Sequence, residues 1–170
     1  MKRHPGGEES TRRLIEPAQL SAGASVLDMG AGEGETVRLL RSMGFDARGI
    51  DKKPDGEGVE QGDFLHAPYP DGVFDAVIGE CSFFVSGDQN GALREAHRLL
   101  KSGGLLLLSD VFFEAPEPML KSALFEVLFI EDRTEAWREY YLEALWRDGE
   151  PCCELPKGKA SYFSLIGRKV

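Results

Sequence analysis

Three alternate glycines, in Gly30-Ala31-Gly32-Glu33-Gly34, separate an apolar run from a helical pattern, and this juncture constrains the fold more than any other part of the chain. Before it, Ser25-Val26-Leu27-Asp28-Met29 reads as a buried strand. After it, residues 35–43 read as a helix with Val37, Leu40 and Met43 near one face and Gly44 at the position that ends it. A strand that runs through a glycine turn straight into a helix opens a βα unit, and the rest of the chain repeats the alternation. Residues 47–51, 59–61 and 74–78 read as further strands. Asp88 is placed to cap a helix carrying Ala92, Leu93, Ala96, Leu99 and Leu100 at helical spacing, with Lys101 in its last turn and Gly103-Gly104 as its stop. Residues 105–109 are apolar on both faces, as a central strand in a covered sheet must be. Residues 125–130 and 161–167 read as the last strands. Between them, Asp132 and Glu135 suggest a capped helix whose stripe is Trp137, Tyr140, Tyr141, Ala144 and Leu145, stopped by Gly149 and Pro151. The expectation is an α/β, doubly wound, mostly parallel sheet with helices on both faces.

A chain of 170 residues suits one domain. Residues 1–10 are charged and glycine-rich and read as a flexible start. A short helix around 11–20, limited by Pro17, would open the domain, which spans 11–170. With 20 Lys+Arg against 29 Asp+Glu, the net charge of −9 makes nucleic acid an unlikely partner, because phosphate binding needs clustered cations. No apolar run approaches the ~20 residues that span a bilayer, and the start lacks the apolar core of a signal peptide. The reading is a cytoplasmic protein that meets no membrane. Three cysteines make no disulfide framework. Cys152-Cys153 is a vicinal pair rather than the spaced pair of a metal site, so no metal is expected, the alternative being a thiol pair that grips a soft metal or metalloid. Nothing in the sequence indicates an oligomeric state.

The chemistry collects at strand ends, where open α/β sheets bind ligands. Asp28 stands there, beside a turn whose glycines let a ligand approach bare backbone and whose helix offers free N–H groups. This is not the dinucleotide pattern, whose third glycine would fall at position 35; that position is Glu, and a carboxylate would repel a bound pyrophosphate. A cationic, phosphate-free nucleoside fits better, and S-adenosylmethionine is one. Asp51, 17 positions after Gly34, can accept both ribose hydroxyls. Asp63 and Phe64 can accept from the adenine amine and lie against its ring. Glu80, at the end of the fourth strand, can face the ammonium of the methionine part. Against these readings stand plain ones: Asp28 and Asp51 as turn residues, Asp63 as part of a Gly-Asp turn. Asp75 reads as structural.

At this point the chain resembles the class I S-adenosylmethionine-dependent methyltransferases, in particular small bacterial members of the type 11 kind. The resemblance rests on VLDMGAGEG at 26–34, GID at 49–51, GDF at 62–64, FDAVIGE at 74–80 and ALREAHRLLKSGGLLLLSD at 92–110, in order, over residues 14–112. Ser102 stands where the family's turn usually has Pro. The resemblance implies a Rossmann-like sheet of seven strands with the last antiparallel, supplied by residues 161–169. It implies S-adenosyl-L-methionine as cofactor and carries binding roles onto Asp28, Gly30, Gly32, Asp51, Asp63, Phe64 and Glu80. Ala31 and Gly34 complete the cradle, and Lys52 follows Asp51. Residues 114–124 are shorter than the stretch with which the family usually covers its substrate.

The activity implied is methyl transfer to a small-molecule acceptor. No convincing general base is apparent. His66, in a loop just past Asp63, is one candidate, against a plain loop residue. Cys81 is a candidate thiol, against a small packed residue. His97 reads as surface or helix packing. One residue of each pair Phe83-Phe84 and Phe112-Phe113 is expected to face each way. Two rivals stand beside the enzyme: a non-catalytic S-adenosylmethionine or S-adenosylhomocysteine-binding module in a partner complex, and a nicotinamide-dependent oxidoreductase, against which Glu35 argues.

Overall fold

A computed structural model describes residues 4–148 and 159–170. Its elements run in chain order as α1 (Gly7–Ile15), β1 (Ser25–Met29), α2 (Glu35–Ser42), β2 (Asp46–Asp51), β3 (Val59–Gln61), β4 (Phe74–Glu80), α3 (Gln89–Leu99), β5 (Leu100–Phe112), α4 (Glu117–Ser122), β6 (Phe125–Asp132), α5 (Thr134–Asp148) and β7 (Ser161–Lys169), with single 3₁₀ turns at Glu16–Ala18 and Phe64–His66.

The strands form one seven-stranded sheet in the order β3-β2-β1-β4-β5-β7-β6. β1 pairs in parallel with β2 and β4, β2 with β3, and β4 with β5. β7 is antiparallel to both β5 and β6, as expected of the last strand. The chain reaches β3 at one edge and returns to lay β4 beside β1. The winding therefore reverses between β1 and β4, which is the ligand-binding point of a doubly wound sheet.

Side chains alternate across each strand. Leu27, Met29 and Val77 pack with Ala92, Leu93, Ala96 and Leu99 of α3. Val26, Ala76 and Ile78 pack on the other face with Leu14 and Ile15 of α1 and Val37 and Leu40 of α2. The same alternation carries Asp28 and Glu80, each two residues further along its strand, onto the α1–α2 face. Two carboxylates thus top adjacent strands on a face that is otherwise core.

Four local readings are corrected. Helix α1 begins at Gly7 rather than Thr11, and His4 is packed at 9% exposure. Helix α3 has its N-cap at Asp88, which accepts from Gly91 N, but it ends at Leu99. Leu100 pairs with Phe74 and Leu105 with Ala76, so Lys101 through Gly104 form an irregularity inside β5 rather than a helix stop. Sheet pairing at Leu100 overrides the helical period there. Helix α5 starts at Thr134, whose N–H bonds to Asp132. Trp137, Tyr140, Tyr141 and Ala144 are buried on it, but Leu145 is 37% exposed. Gly149, Pro151, Cys152 and Cys153 lie outside the described residues.

Candidate functional site

The carboxylates of Asp28 and Glu80 are the centre of the site. Asp28 is 4% exposed, and no described residue donates a hydrogen bond to its carboxylate. Burial pushes its pKa well above the usual carboxylate range, and the neighbouring charges of Glu80 and Asp51 push it further. Glu80 is also raised by burial, partly offset by His4, Thr11 and Thr36. Thr11 of α1 donates to Glu80 at 3.0–3.1 Å, and Thr36, in the first turn of α2, donates at 3.1 Å. Two helices are therefore pinned to one strand end. A buried pair of acids raised in this way is stabilised by a cation.

The glycine turn begins beside them. Gly30, Gly32 and Gly34 have φ of 94°, 48° and 73°, a left-handed series in which side chains are strained. Gly30 N and Ala31 N donate to Ile50 O, and Gly34 N to Ala31 O. Asp51 ties the turn down: its carboxylate accepts from Gly32 N at 2.9 Å and from Lys53 N at 2.8 Å. Gly30 has a packing reason that the sequence did not show. A Cβ on it would stand 2.4 Å from Ser82 Cβ and 3.5 Å from the Phe64 ring. Its bareness admits a neighbour of the same chain.

On the β2 side the turn faces a cleft of about 270 Å³ that brings together Gly30, Asp51, Lys52, Asp63, Phe64, Cys81 and Ser82. Asp63 accepts from Leu65 N at 3.0 Å and lies 3.1 Å from Lys52 Nζ. Those contacts hold its pKa below the usual carboxylate range, the backbone bond foremost. Phe64 is 8% exposed and stacks on Phe83 at 5.9 Å. Ser82 was not singled out from the sequence; its hydroxyl is buried, makes no hydrogen bond, and lines this cleft. On the α1–α2 side, a second cavity of about 600 Å³ runs past His4, Thr11, Glu35 and Thr36.

The remaining candidates fall elsewhere. His66 is exposed in its 3₁₀ turn and does not line the cleft. Cys81 does line it, in a left-handed conformation with φ 56°, and its Sγ is 3.2 Å from Tyr162 Oη. Tyr162 also bonds to Ser109 O at 3.2 Å. Either Cys81 Sγ or Tyr162 Oη can be the donor of the contact between them. His97 packs edge-on to Phe125 with its Nε2 buried. Asp75 is structural, accepting from Ser25 N and Oγ, each at 2.8 Å, and from Lys101 Nζ at 2.7 Å. Phe83 and Phe112 are buried, while Phe113 is 49% exposed and Phe84 half-buried. Asp110, also unmarked in the sequence, is fully buried under the turn after β4. It accepts from Phe84 N and Val111 N, and burial pushes its pKa up to about 7.

Comparison with known proteins adds the family. A sequence model described as a methyltransferase domain matches residues 27–108. The chain is 35% identical over 124 residues to a sarcosine/dimethylglycine N-methyltransferase of Halorhodospira halochloris, covering 60% of this chain and 44% of the relative. The chain spans about half the length, or less, of the curated relatives it matches most strongly. Among solved structures, a putative sarcosine dimethylglycine methyltransferase from Galdieria sulphuraria superposes with a TM-score of 0.75 at 18% identity, over 95% of this chain and 85% of that one. Phosphoethanolamine N-methyltransferase 2 of Haemonchus contortus, solved with S-adenosyl-L-methionine, gives 0.78 at 16% identity, over 98% and 53%. These two share the fold.

Proposed function

The chain belongs to the class I S-adenosylmethionine-dependent methyltransferase family, and from that premise we propose that its strand-end crevice binds S-adenosyl-L-methionine and passes the methyl group to a small-molecule acceptor. The observation that carries the reading is the pair of buried carboxylates, Asp28 and Glu80, one of them with no donor among the described residues, at the mouth of a glycine turn. Such a pair suits a ligand with two cationic centres and is hostile to a diphosphate.

Residue by residue, Asp51 accepts from the ribose hydroxyls with the lone pairs that the turn leaves free. Asp63, oriented by Lys52, accepts from the adenine amine, with the Phe64 ring alongside. Gly30, Ala31, Gly32 and Gly34 form the cradle, and Asp28 and Glu80 face the cationic end. When bound, the cofactor supplies an activated methyl for in-line displacement. The chain's own contribution is to hold the reactants in line and exclude water. The acceptor is small and not a nucleic acid, in keeping with an acidic chain of −9 net charge, and the protein works in the cytoplasm. Among the described residues no helix is long and apolar enough to cross a membrane.

One observation favours the binding module as second reading. Of the two candidates, His66 is off the cleft, and the Cys81 thiol is engaged with Tyr162 Oη at 3.2 Å. Calorimetric titration with S-adenosylhomocysteine, followed by a methyl-transfer assay on a panel of amines, phenols and carboxylic acids, decides the matter. Binding with transfer is expected. Binding without transfer to any acceptor selects the module, and binding of NAD in place of S-adenosylhomocysteine sinks both.

A further inference from the structure

Leu106, Leu108 and Phe112 of β5 belong to the core that packs on α3. Asp110 shares their parity along the strand, so a fully buried carboxylate stands in a core position. It lies beyond the matched methyltransferase domain, which ends at residue 108, and just past Ser109, the last residue of β5 to pair with β4. Its oxygens therefore meet the chain where β4 has ended and residues 81–87 bend away. There Phe84 N donates to Oδ2 at 3.0 Å and Val111 N to Oδ1 at 2.8 Å, and Phe83 N donates to the same carboxylate. Burying a carboxylate is costly, and an apolar side chain would fill the position without that cost. What the carboxylate adds is two acceptor oxygens at one point, which meet backbone N–H groups that the bend takes away from any strand partner.

The bend matters for what it carries. Cys81, Ser82, Val85 and Ser86 supply one wall of the cleft of about 270 Å³, with Asp51, Lys52, Asp63 and Phe64 among its other lining residues. Cys81 N donates to Ser109 O at 2.8 Å, and Gln89 Nε2 donates to Val111 O at 2.8 Å. The wall is thus fastened to three successive residues of β5, and Asp110 holds its middle. We propose that Asp110 is a positioning residue for the nucleoside half of the cofactor: it lies behind the wall and fixes where Ser82, Val85 and Ser86 stand in the cleft. This rests on the cofactor reading given above and adds to it the residue that shapes one side of the pocket.

The test measures methylthioadenosine, which keeps the nucleoside and lacks the charged amino-acid end, beside S-adenosylhomocysteine, by calorimetry on the full chain. The position offers two acceptor oxygens as Asp110, one in Asp110→Asn and none in Asp110→Leu. Affinity for the two compounds should fall by the same factor in each variant, because they share the nucleoside. The loss should be about threefold for the Asn variant and about tenfold or more for the Leu variant, the range for one or more hydrogen bonds, so that Asn rescues part of it. Asp75→Asn, at the other end of β4, is the control: it disturbs the contacts to Ser25 and Lys101, lowers the urea midpoint, and should leave both affinities unchanged. In amide NMR spectra of the free Asp110→Asn protein, the signals of Ser82, Val85 and Ser86 should shift, whereas those of Gly32 and Lys53, held by Asp51, should stay. The Asn variant and its spectra decide the matter even if Asp110→Leu does not fold. Unchanged affinities in Asp110→Asn, or an equal weakening by Asp75→Asn, would reduce Asp110 to a packing residue and overturn the role. A loss confined to S-adenosylhomocysteine would also overturn it, by placing the effect at the amino-acid end. An unmodified protein that binds neither compound overturns the cofactor reading, and the role of Asp110 with it.

Discussion

Ser82 packs directly on the α-carbon of Gly30, and that contact makes a sharp prediction. Gly30→Ala meets a φ of 94° and a neighbour 2.4 Å away, so it should cost about 2–4 kcal/mol, of which about 1 is left-handed strain and the rest overpacking. Urea denaturation measures it. Ser82→Gly in the same chain should return the overpacking part and leave the strain; an equally unstable double variant would refute the packing account. Asp51→Ala removes an acceptor that holds Gly32 N and Lys53 N as well as the proposed ribose contact. Its affinity for S-adenosylhomocysteine should fall by about 1–3 kcal/mol in calorimetry, and unchanged affinity would remove Asp51 from the site. At this scale the sequence was legible where a residue follows a strand in a recognisable string, as Asp28, Asp51, Asp63 and Phe64 do. It was silent on Ser82, Asp110, His4 and Thr11. Each owes its place to a turn or helix folding back over a distant strand, and no local period records that.

The helices show where local signals win and where pairing wins. Asp88 accepts from Gly91 N at 2.7 Å at the start of α3, the N-cap that the sequence predicts. Asp88→Ala should lower stability by about 0.5–2 kcal/mol, seen as a lower urea midpoint at unchanged slope. A change below measurement would mean that burial of Ala92, Leu93, Ala96 and Leu99 alone fixes this end. At the other end of α3 the sequence pattern overruns the helix, because Leu100 continues the helical stripe while its backbone pairs with Phe74. Helix α1 starts four residues before the sequence pattern predicts, since Gly6 and Gly7 read as loop while Thr11 and Leu14 are buried. Strand β1 was legible in full. Its apolar run has only one sensible place, the middle of a covered sheet. The Phe pairs divide between core and surface as expected, but Phe83 and Phe84 do so in a turn rather than by strand alternation.

For the molecule as a whole, the buried acids set how stability and binding respond to pH. Asp110 has a folded pKa of about 7 against an ordinary carboxylate value of 3.8, and burial is the cause. Between those values the native state keeps a proton that the unfolded chain has released, so stability is full at the acid end, falls as pH rises toward 7, and is level above it. Asp28 and Glu80 are raised as well and add to the same trend. Asp63, Asp75 and Asp132 are lowered, so their contribution is present above the ordinary carboxylate range and lost only as pH falls below it. In the absence of ligand, the free energy of unfolding should therefore decline from about pH 4 to about pH 7. Asp110→Asn should flatten part of that decline; the slope is the readout, because the amide changes the absolute stability too. A cationic cofactor reverses the preference of Asp28 and Glu80, drawing both into the ionised form. Binding then expels protons, and affinity rises with pH over the range in which the free protein still holds them. Titrations in buffers of different ionisation enthalpy count those protons. Release that disappears in an Asp28→Asn, Glu80→Gln double variant would locate it at this pair, whereas binding with no proton released would mean that both acids are already ionised in the free protein, against the upward push that burial gives them.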